Sequence, residues 1–357
     1  MILIIANARR KGGLSGSDNI YEAFAKYWQM PIDAKIVHGT YAEKICKIID
    51  NYIVGTQSMM GIDFKPFWVC YIWRTIKACW IALRFKMGGV EFVYSASDFL
   101  MDVLPCFIYK LKGARWVAGY YMQAPKGKWL YRLSQIISEF FIHDHASVVC
   151  MTNESLFPIF PKKKRIAVHG GINLSCAGVS DKPKLYDAVF VGRLHYTKGI
   201  DKLMTIWDCV HLKRPEAKLA IIGDGDSEAD KVWEWANGRK DIKMFGYRGR
   251  ERFEIYKRSK MVLYPVPEEY SHFSMAPVEA MACGCPMVAF DIPVMKYIMP
   301  WGTLLTSNIY VFINHILFLL RDDYYKTVSK SATKWAQSWD WSKRAPKILN
   351  EIRGYLK

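Results

Sequence analysis

Apolar runs alternate with amphipathic stretches along the whole chain. In the first half, this pattern predicts a helix near Asn19–Trp28 and strands near Met1–Ala6, Ala34–His38, Val90–Tyr94 and Arg115–Tyr120. In the second half, it predicts strands at Asp187–Val191, Lys218–Ile222, Lys243–Phe245, Met261–Tyr264 and Pro286–Phe290. Short apolar strands that alternate with helices are typical of a parallel sheet with helices on its faces. We therefore expect an α/β chain with two domains.

The segment Ser175–Lys184 interrupts this periodicity. It is polar and contains glycine and proline, which are typical of a linker. A chain of 357 residues also has the size of two ordinary domains. We therefore expect an N-terminal domain over residues 1–175 and a C-terminal domain over residues 185–335.

The segment Phe64–Lys86 carries three tryptophans between basic residues. At 100° per residue, Arg74, Lys77 and Arg84 fall within roughly an 80° arc, opposite a broad apolar side. The pattern predicts an amphipathic helix, since each charge placed at the centre of a bilayer would cost about 2.5 to 3.5 kcal/mol. Two interpretations remain open: the helix only covers the sheet of its own domain, or it also contacts a membrane. A second apolar stretch, Trp129–Phe141, is predicted to lie in the core.

Composition and charge restrict the possible functions. The chain is 51% hydrophobic and 23% charged, with a mean hydropathy of −0.02, which excludes a disordered chain and a multi-span membrane protein. Lysine and arginine number 50 against 33 acidic residues, a formal charge of +17. An excess of this size indicates phosphate ligands, anionic lipid or nucleic acid. Both halves are basic when the chain is divided at residue 180.

The distribution of cysteines and the N-terminal residues indicate the cellular compartment of the protein. The nine cysteines are scattered, with no C-x-x-C pair, so disulfides and zinc sites are not expected. The chain starts with an apolar run followed by positive charges, MILIIANARRKGG, which is the reverse of a secretory signal. We expect a cytoplasmic protein.

The densest chemical pattern is Tyr264–Ala289. A strand is followed by a loop, then by a short helix that opens around Ala276-Pro277 and ends before Gly284. The loop would deliver the backbone N–H groups of Phe273–Ala276 to the positive end of a helix, where a phosphate binds favourably. Glu279, one turn into the helix, could accept hydrogen bonds from the hydroxyls of a ligand. Alternatively, Glu279 bonds its own backbone and the helix start only caps itself.

A second pattern follows the first strand of the same half. Arg193 and Lys198 lie in the loop between Gly192 and Gly199. Ligands of α/β proteins bind at the carboxyl ends of parallel strands, and two cations there match a diphosphate. Either charge alone is typical of a solvated surface residue. Together they indicate anion binding.

The order and spacing of these motifs resemble the nucleotide-sugar-binding domain of retaining glycosyltransferases with the GT-B fold, specifically glycosyltransferase family 4. The resemblance covers roughly Asp187–Pro293. Its motifs are Gly192-Arg193 with Lys198-Gly199, Ile221–Gly225, Phe245-Gly246-Tyr247, and Val278–Gly284 followed by Pro286. The first half is more loosely similar, through the loops Gly12–Asn19 and Gly170–Asn173. Residues 336–357, around Trp339-Asp340-Trp341, resemble the family's C-terminal helix, which returns to the N-terminal domain.

The resemblance implies a fold and a set of donor-binding residues. The fold would be α/β, with two Rossmann-like domains facing a central cleft. Arg193 and Lys198 would be catalytic, holding the donor diphosphate and stabilising the charge that develops on it. Glu279 would bind the ribose hydroxyls, and the Phe245–Arg248 turn would receive the base. The full set of donor-binding residues would be Gly16, Gly192, Gly246, Tyr247, Ser271, Phe273, Ser274, Met275, Ala276 and Glu279.

Two positions depart from the family pattern. The family's E-x7-E pair requires an acidic residue eight positions before Glu279, where this chain has Ser271. Glu268 and Glu269 lie near this position but do not align with the motif. The family's histidine in the first domain has no counterpart in Tyr120–Gln123. A changed donor or a loss of activity therefore stays open.

These observations predict a cytoplasmic, retaining hexosyltransferase at the inner face of a membrane. It would use a nucleoside-diphosphate sugar as co-substrate, with no bound cofactor and no metal, because Asp224-Gly-Asp226 reads as part of a turn. The acceptor would be a glycan or a polyprenyl- or other lipid-linked molecule, reached through peripheral contact of Phe64–Lys86 with an anionic membrane; nucleic acid is not expected. Two alternatives remain open: a GT-B nucleotide-sugar epimerase, and a non-catalytic glycosyltransferase-like binder of membranes or nucleic acid.

Overall fold

A computed structural model describes residues 2–7, 16–28, 37–38, 67–124, 127, 129–225, 227–267, 274–298 and 302–357. The chain divides into two compact units. The first comprises Met1–Gly170 and Trp341–Lys357, and the second comprises Gly171–Asp340. Each unit is an α/β domain built on a parallel sheet, as the alternating pattern predicts.

The described strands of the first unit form a six-stranded sheet in the order β2-β1-β3-β4-β5-β6, with every neighbouring pair parallel. Its elements before the second unit are β1 (Ile2–Ile5), α1 (Gly16–Tyr27), β2 (Val37–His38), α2 (Phe67–Arg84), β3 (Phe92–Ser95), α3 (Leu100–Leu111), β4 (Arg115–Tyr120), α4 (Trp129–His145), β5 (Val148–Met151) and β6 (Lys164–Ala167).

The second unit contains another six-stranded parallel sheet among its described residues, in the order β12-β11-β10-β7-β8-β9. Its elements are β7 (Tyr186–Val191), α5 (Ile200–Lys213), β8 (Leu219–Ile222), α6 (Ser227–Ala236), β9 (Ile242–Met244), α7 (Arg252–Lys257), β10 (Ser259–Tyr264), α8 (Met275–Ala282), β11 (Met287–Phe290), α9 (Met295–Ile298), β12 (Thr303–Thr306), α10 (Ile309–Leu319) and α11 (Asp322–Ala336). The last helix, α12 (Trp341–Leu356), belongs to the first unit.

Both faces of the first sheet are buried. Ile2 and Ile4 pack into the core formed with α1 and α12, while Leu3 and Ile5 pack into the core on the opposite face, where α2, α3 and α4 contribute residues. Strands covered on both sides are apolar at successive positions rather than at alternate ones. The apolar runs of this chain therefore predict most of its strands.

Three strands do not appear among those predicted: β5, β6 and β12. β5 and β12 have four residues each. β6 has the sequence KRIA and starts within the basic run at residues 162–165. It is the edge strand of the sheet, so charged residues are tolerated there.

The division between the units lies before the expected linker. Backbone N–H of Ile172 donates to the carbonyl of Trp339 (2.8 Å), and Ile172 also forms a β-bridge with Asp340. These bonds tie the segment that follows Gly171 to the second unit, so Ser175–Lys184 lies within that unit rather than between domains. The expected domain limits at residues 175 and 185 shift accordingly.

The positive charge is concentrated in one unit. The first unit holds 27 basic and 13 acidic residues, a formal +14, and the second holds 23 and 20, a formal +3. Both halves are basic when the chain is divided at residue 180, but residues 341–357 add five basic residues, four on α12 and Lys357, to the first unit. The first unit therefore accounts for most of the excess.

Helix α2 is oriented differently from the expected amphipathic helix. Arg74 is buried, at 6% exposure, instead of lying on a solvated basic side. The large apolar residues of the helix point outward and are each about half exposed: Ile72, Trp73, Ile76, Trp80 and Leu83. Helix α4 shows the same orientation, so the prediction that Trp129–Phe141 lies in the core is wrong for most of its apolar residues.

Candidate donor-binding site

The loop after β7 is a tight turn held by backbone bonds. Gly192 N–H donates to the carbonyl of Ile222 (3.0 Å), and Leu194 N–H donates to that of Asp224 (3.0 Å). At the end of the loop, Gly199 has φ 73°, and a Cβ there would lie 1.9 Å from the carbonyl oxygen of Pro265. Only glycine fits such an approach in this conformation. The loop is thus pressed against the residue that follows β10.

Arg193 and Lys198 lie in this loop with different exposures. Arg193 is exposed and Lys198 is half-buried. Burial, followed by the nearby charge of Arg193, lowers the pKa of the Lys198 ammonium. Neither cation has a carboxylate partner among the described residues. A bound anion would relieve both the repulsion and the desolvation of these two charges.

The strand order reverses at β7. Strands β10 and β8 flank β7 on its two sides, so the loops after β7 and β10 diverge at the carboxyl edge of the sheet. Such a reversal is where open parallel sheets bind ligands. It is also where the sequence places the two cations and the start of α8.

Helix α8 begins next to this point. Ser274 N–H donates to the hydroxyl of the buried Tyr264 (3.1 Å), which ends β10. The helix starts at Met275, so Pro277 is its third residue rather than its first. The N–H groups of the first helical turn have no carbonyl within the helix to bond. Met275 and Ala276 therefore supply donors at the positive end of the helix dipole.

Glu279 forms a bidentate ion pair that the sequence did not predict. Arg252 donates to both of its carboxylate oxygens, from Nε and Nη2, at 2.8 Å each. The Glu279 side chain is 14% exposed. The alternative expectation, a bond from Glu279 to its own backbone, has no counterpart among the described hydrogen bonds, in which the partner of Glu279 is Arg252. Each oxygen keeps a lone pair that can accept from a ligand hydroxyl.

The expected base-binding turn is connected to this ion pair. Arg252 Nη1 donates to the carbonyl of Gly249 (2.5 Å), three residues after Gly246. Gly246 in turn accepts from the N–H of Gly223 (2.9 Å), and a Cβ on Gly223 would lie 1.9 Å from the Gly192 carbonyl. The ends of β7, β8 and β9 are thus in backbone contact. Tyr247 is 72% exposed on the turn.

The remaining predicted residues are not brought to this site by described contacts. Gly16 is the first residue of α1, in the first unit. Ser271 and Phe273 lie outside the described residues, as do Glu268, Glu269 and Asp226. Their predicted roles stay predictions.

A buried polar cluster in the first unit escaped the sequence analysis. It lies at the carboxyl ends of β1 and β3, where Asn7 N–H donates to Asp102 (2.5 Å) and Gln135 donates to Asp98 (2.7 Å). Burial raises the pKa of the Asp98 carboxyl to about 6. These residues are far apart in the sequence, and only the topology of the sheet assembles them.

Two features are absent from the described part of the chain. Within it, no three His, Cys, Asp or Glu side chains are grouped so that they could hold a metal ion. None of the described helices combines the length and the hydropathy that crossing a membrane requires.

The fold is that of GT-B glycosyltransferases. Sucrose-phosphate synthase from Thermosynechococcus elongatus has the same fold, with a TM-score of 0.71 and 15% identity over 99% of this chain and 98% of that one. Anabaena HepE, solved in complex with UDP-glucose, gives a TM-score of 0.69 and 15% identity, covering 99% of each chain. At this identity, the likeness establishes the fold.

Part of the chain is similar in sequence to glycosyltransferases. Residues 186–322 match the family described as glycosyl transferases group 1. An uncharacterized glycosyltransferase of Methanocaldococcus jannaschii is 33% identical over 118 residues, which are 32% of this chain and 29% of that protein. The chain spans about a third of the length of the curated relatives that it matches. The matched family region contains Arg193, Lys198, Arg252 and Glu279.

Proposed function

We propose that the protein is a retaining, metal-independent hexosyltransferase of glycosyltransferase family 4. The observation that carries this proposal is the pair Arg193 and Lys198, which lie at the reversal of the strand order with no carboxylate partner among the described residues. Two such cations beside the start of α8 suit a diphosphate. The UDP-glucose bound to HepE supports a nucleoside-diphosphate sugar as the donor.

Each donor-binding residue has a chemical role in this proposal. Arg193 and Lys198 neutralise the charge that grows on the diphosphate as the glycosidic bond breaks. The N–H groups of Met275 and Ala276 bind phosphate or sugar oxygens. Glu279 accepts hydrogen bonds from the ribose hydroxyls, and Tyr247 offers a ring on which the base can stack.

Retention follows from attack on the face that the leaving group vacates. The acceptor oxygen forms a bond to the anomeric carbon while the bond from that carbon to the diphosphate breaks. The acceptor proton passes to the departing diphosphate, so the step needs no protein nucleophile. The two cations stabilise this ion pair of leaving group and sugar, and therefore act on the transition state more than on the bound donor.

The acceptor is a membrane-associated glycan or lipid in this proposal, met at the cytoplasmic face. The first unit supports this, because it carries a formal +14 and because α2 exposes Trp73 and Trp80. Tryptophan with lysine and arginine is typical of helices at a membrane interface.

The decisive experiment replaces each cation. In Arg193→Ala and Lys198→Ala, kcat for sugar transfer should fall by about 10²-fold or more, as when an electrostatic donor to a developing charge is removed. The melting temperature should not fall, because neither side chain contributes a described ion pair. Lys213→Ala, an exposed lysine at the far end of α5, is the matched control. Unchanged turnover in both cation variants would contradict the proposal.

A further inference from the structure

The outer side of α4 is as apolar as that of α2. Six of its large side chains are 41–70% exposed: Trp129, Leu130, Leu133, Ile136, Ile137 and Phe140. At 100° per residue, they fall within roughly a 120° arc, and the exposed residues of α2 fall within roughly a 100° arc. We refer to these two exposed stripes together as the α2–α4 face.

The inward sides of both helices are mostly polar or small. Arg74, Ala78 and Ala82 are the buried residues of α2, and Gln135 and Ser138 are buried in α4 together with one large apolar residue, Ile142. A helix that covers a sheet of a water-soluble domain normally has the opposite arrangement, with its apolar stripe inward. The inverted pattern indicates that the outward apolar residues contact something other than water.

The two helices form one connected surface. Both pack against α3, and the hydroxyl of Tyr71 in α2 hydrogen-bonds that of Ser134 in α4 (2.7 Å). The same Tyr71 hydroxyl accepts from Leu100 N–H at the start of α3 (2.8 Å). The ring of Phe99 stacks on Tyr131 of α4 at 5.1 Å. These contacts fix the two stripes to the same helical layer.

The charges that border the α2 stripe are positive. Helix α2 has no acidic residue, and Lys77 and Arg84 lie beside its apolar stripe. The Arg84 guanidinium lies 4.0 Å from the centre of the Trp80 ring. On α4, the Glu139 carboxylate is neutralised by Arg132 at 2.6 Å, and the exposed Asp144 carboxylate lies 2.9 Å from the ring of His143. An anionic partner with an apolar interior is complementary to this surface.

We propose that the α2–α4 face docks on an anionic lipid bilayer, with both helices lying in the plane of the interface. Tryptophan and leucine enter the boundary between headgroups and acyl chains, while the bordering lysines and arginines contact anionic headgroups. A polynucleotide backbone offers no apolar layer for eleven such side chains. This proposal rests on the proposed function, in which the acceptor is associated with a membrane. It names the surface that contacts the membrane and includes α4 in that surface.

Flotation of the full chain with lipid vesicles tests this proposal in the absence of any nucleotide. Vesicles of phosphatidylcholine with phosphatidylglycerol should carry the protein, and phosphatidylcholine alone should carry much less. Leu83→Glu on α2 and Leu133→Glu on α4 should each weaken partitioning at least about tenfold. Leu212→Glu, on a leucine that is 82% exposed on α5 of the second unit, is the matched control and should float like the wild type. Phe140→Ser repeats the test on α4 without adding a charge.

Several results would overturn the proposal. They are failure of the wild type to float, flotation of Leu133→Glu and Phe140→Ser at the wild-type level, and equal binding to neutral vesicles. Light scattering tests a further outcome. If the wild type has the mass of two chains and does not float, and Leu133→Glu has the mass of one chain, the face binds a second copy of the chain. Because flotation needs no donor, these failures are distinct from a failure of the Arg193 and Lys198 experiment.

Discussion

At the scale of single residues, the ion pair of Arg252 and Glu279 gives the carboxylate a fixed direction. A carboxylate with a free choice of rotamers would lose conformational freedom on binding ribose, and a bidentate guanidinium removes part of that loss in advance. Arg252 would thus be a positioning residue that acts through Glu279. The sequence could not indicate the pair, because its members are 27 residues apart and lie on different helices.

Arg252→Gln should raise the dissociation constant for a nucleoside diphosphate about tenfold, while Arg252→Lys restores part of the affinity. The diagnostic measurement is discrimination between ribose and 2′-deoxyribose nucleotides, by calorimetry, which should shrink in Arg252→Gln. Arg239→Gln is the control, because it breaks another arginine ion pair of the same unit, with Asp208 and Asp241. It should lower the melting temperature without changing the discrimination. Full discrimination in Arg252→Gln would contradict the positioning role.

The buried Asp98 carboxyl predicts a pH dependence of stability. Burial raises its pKa from 3.8 to about 6, so between these values the folded state binds more protons than the unfolded state. The free energy of unfolding should therefore fall as the pH rises from 4 to 6, by about 2 kcal/mol at 1.36 kcal/mol per pKa unit. Urea titrations should show this fall in the wild type relative to Asp98→Asn, which has no charge to bury. Parallel pH curves for the two proteins would contradict it.

At the scale of elements, the turn from β7 to α5 depends on how closely it approaches β10. Gly199 and Gly238 both have φ 73°, so a side chain at either position has the same backbone strain. Only at Gly199 would a Cβ meet backbone, the Pro265 carbonyl at 1.9 Å; at Gly238 nothing lies within 4 Å. The two glycines therefore separate the effect of strain from that of contact.

Gly238→Ala should cost about 1 to 2 kcal/mol of unfolding free energy from the left-handed conformation alone. Gly199→Ala should cost clearly more, because the turn must move away from β10, and Lys198 must move with it. Denaturant titrations give the two stabilities, and nucleotide affinity should fall only for Gly199→Ala. Equal losses of stability in the two variants would show that the close approach is unimportant.

The elements also show what a hydrophobic pattern can and cannot predict. Periodicity identifies residues that share one face of a helix, and it correctly predicts helices over most of Phe67–Arg84 and Trp129–His145. It does not determine whether that face points toward the sheet or away from it. For α4, that direction depends on Gln135, whose bonds to Asp98 and to the Met122 carbonyl turn the polar side inward. Such partners lie outside any local window of sequence.

At the scale of the whole molecule, the sequence predicts the two-domain α/β class because both sheets are parallel and most of their strands are apolar. The donor-site motifs follow individual strands, so their local positions are predictable as well. The division of the chain into its two units is not predictable, because it depends on the backbone hydrogen bond between Ile172 and Trp339. These two residues lie at opposite ends of the second unit. The uneven charge of the two units follows from that division, so it is not predictable from the sequence either.

The return of the chain to its first unit through α12 also has a consequence for synthesis. The Trp28 indole of α1 donates to the Ala345 carbonyl of α12 (2.9 Å), and both helices pack in the core on the same face of the first sheet. The second unit is continuous in the chain and can fold as soon as it has left the ribosome. The first unit must wait, with the part of its sheet that α12 covers still exposed, until residues 341–356 are made. Nascent chains arrested before this point should therefore present that exposed part to chaperones.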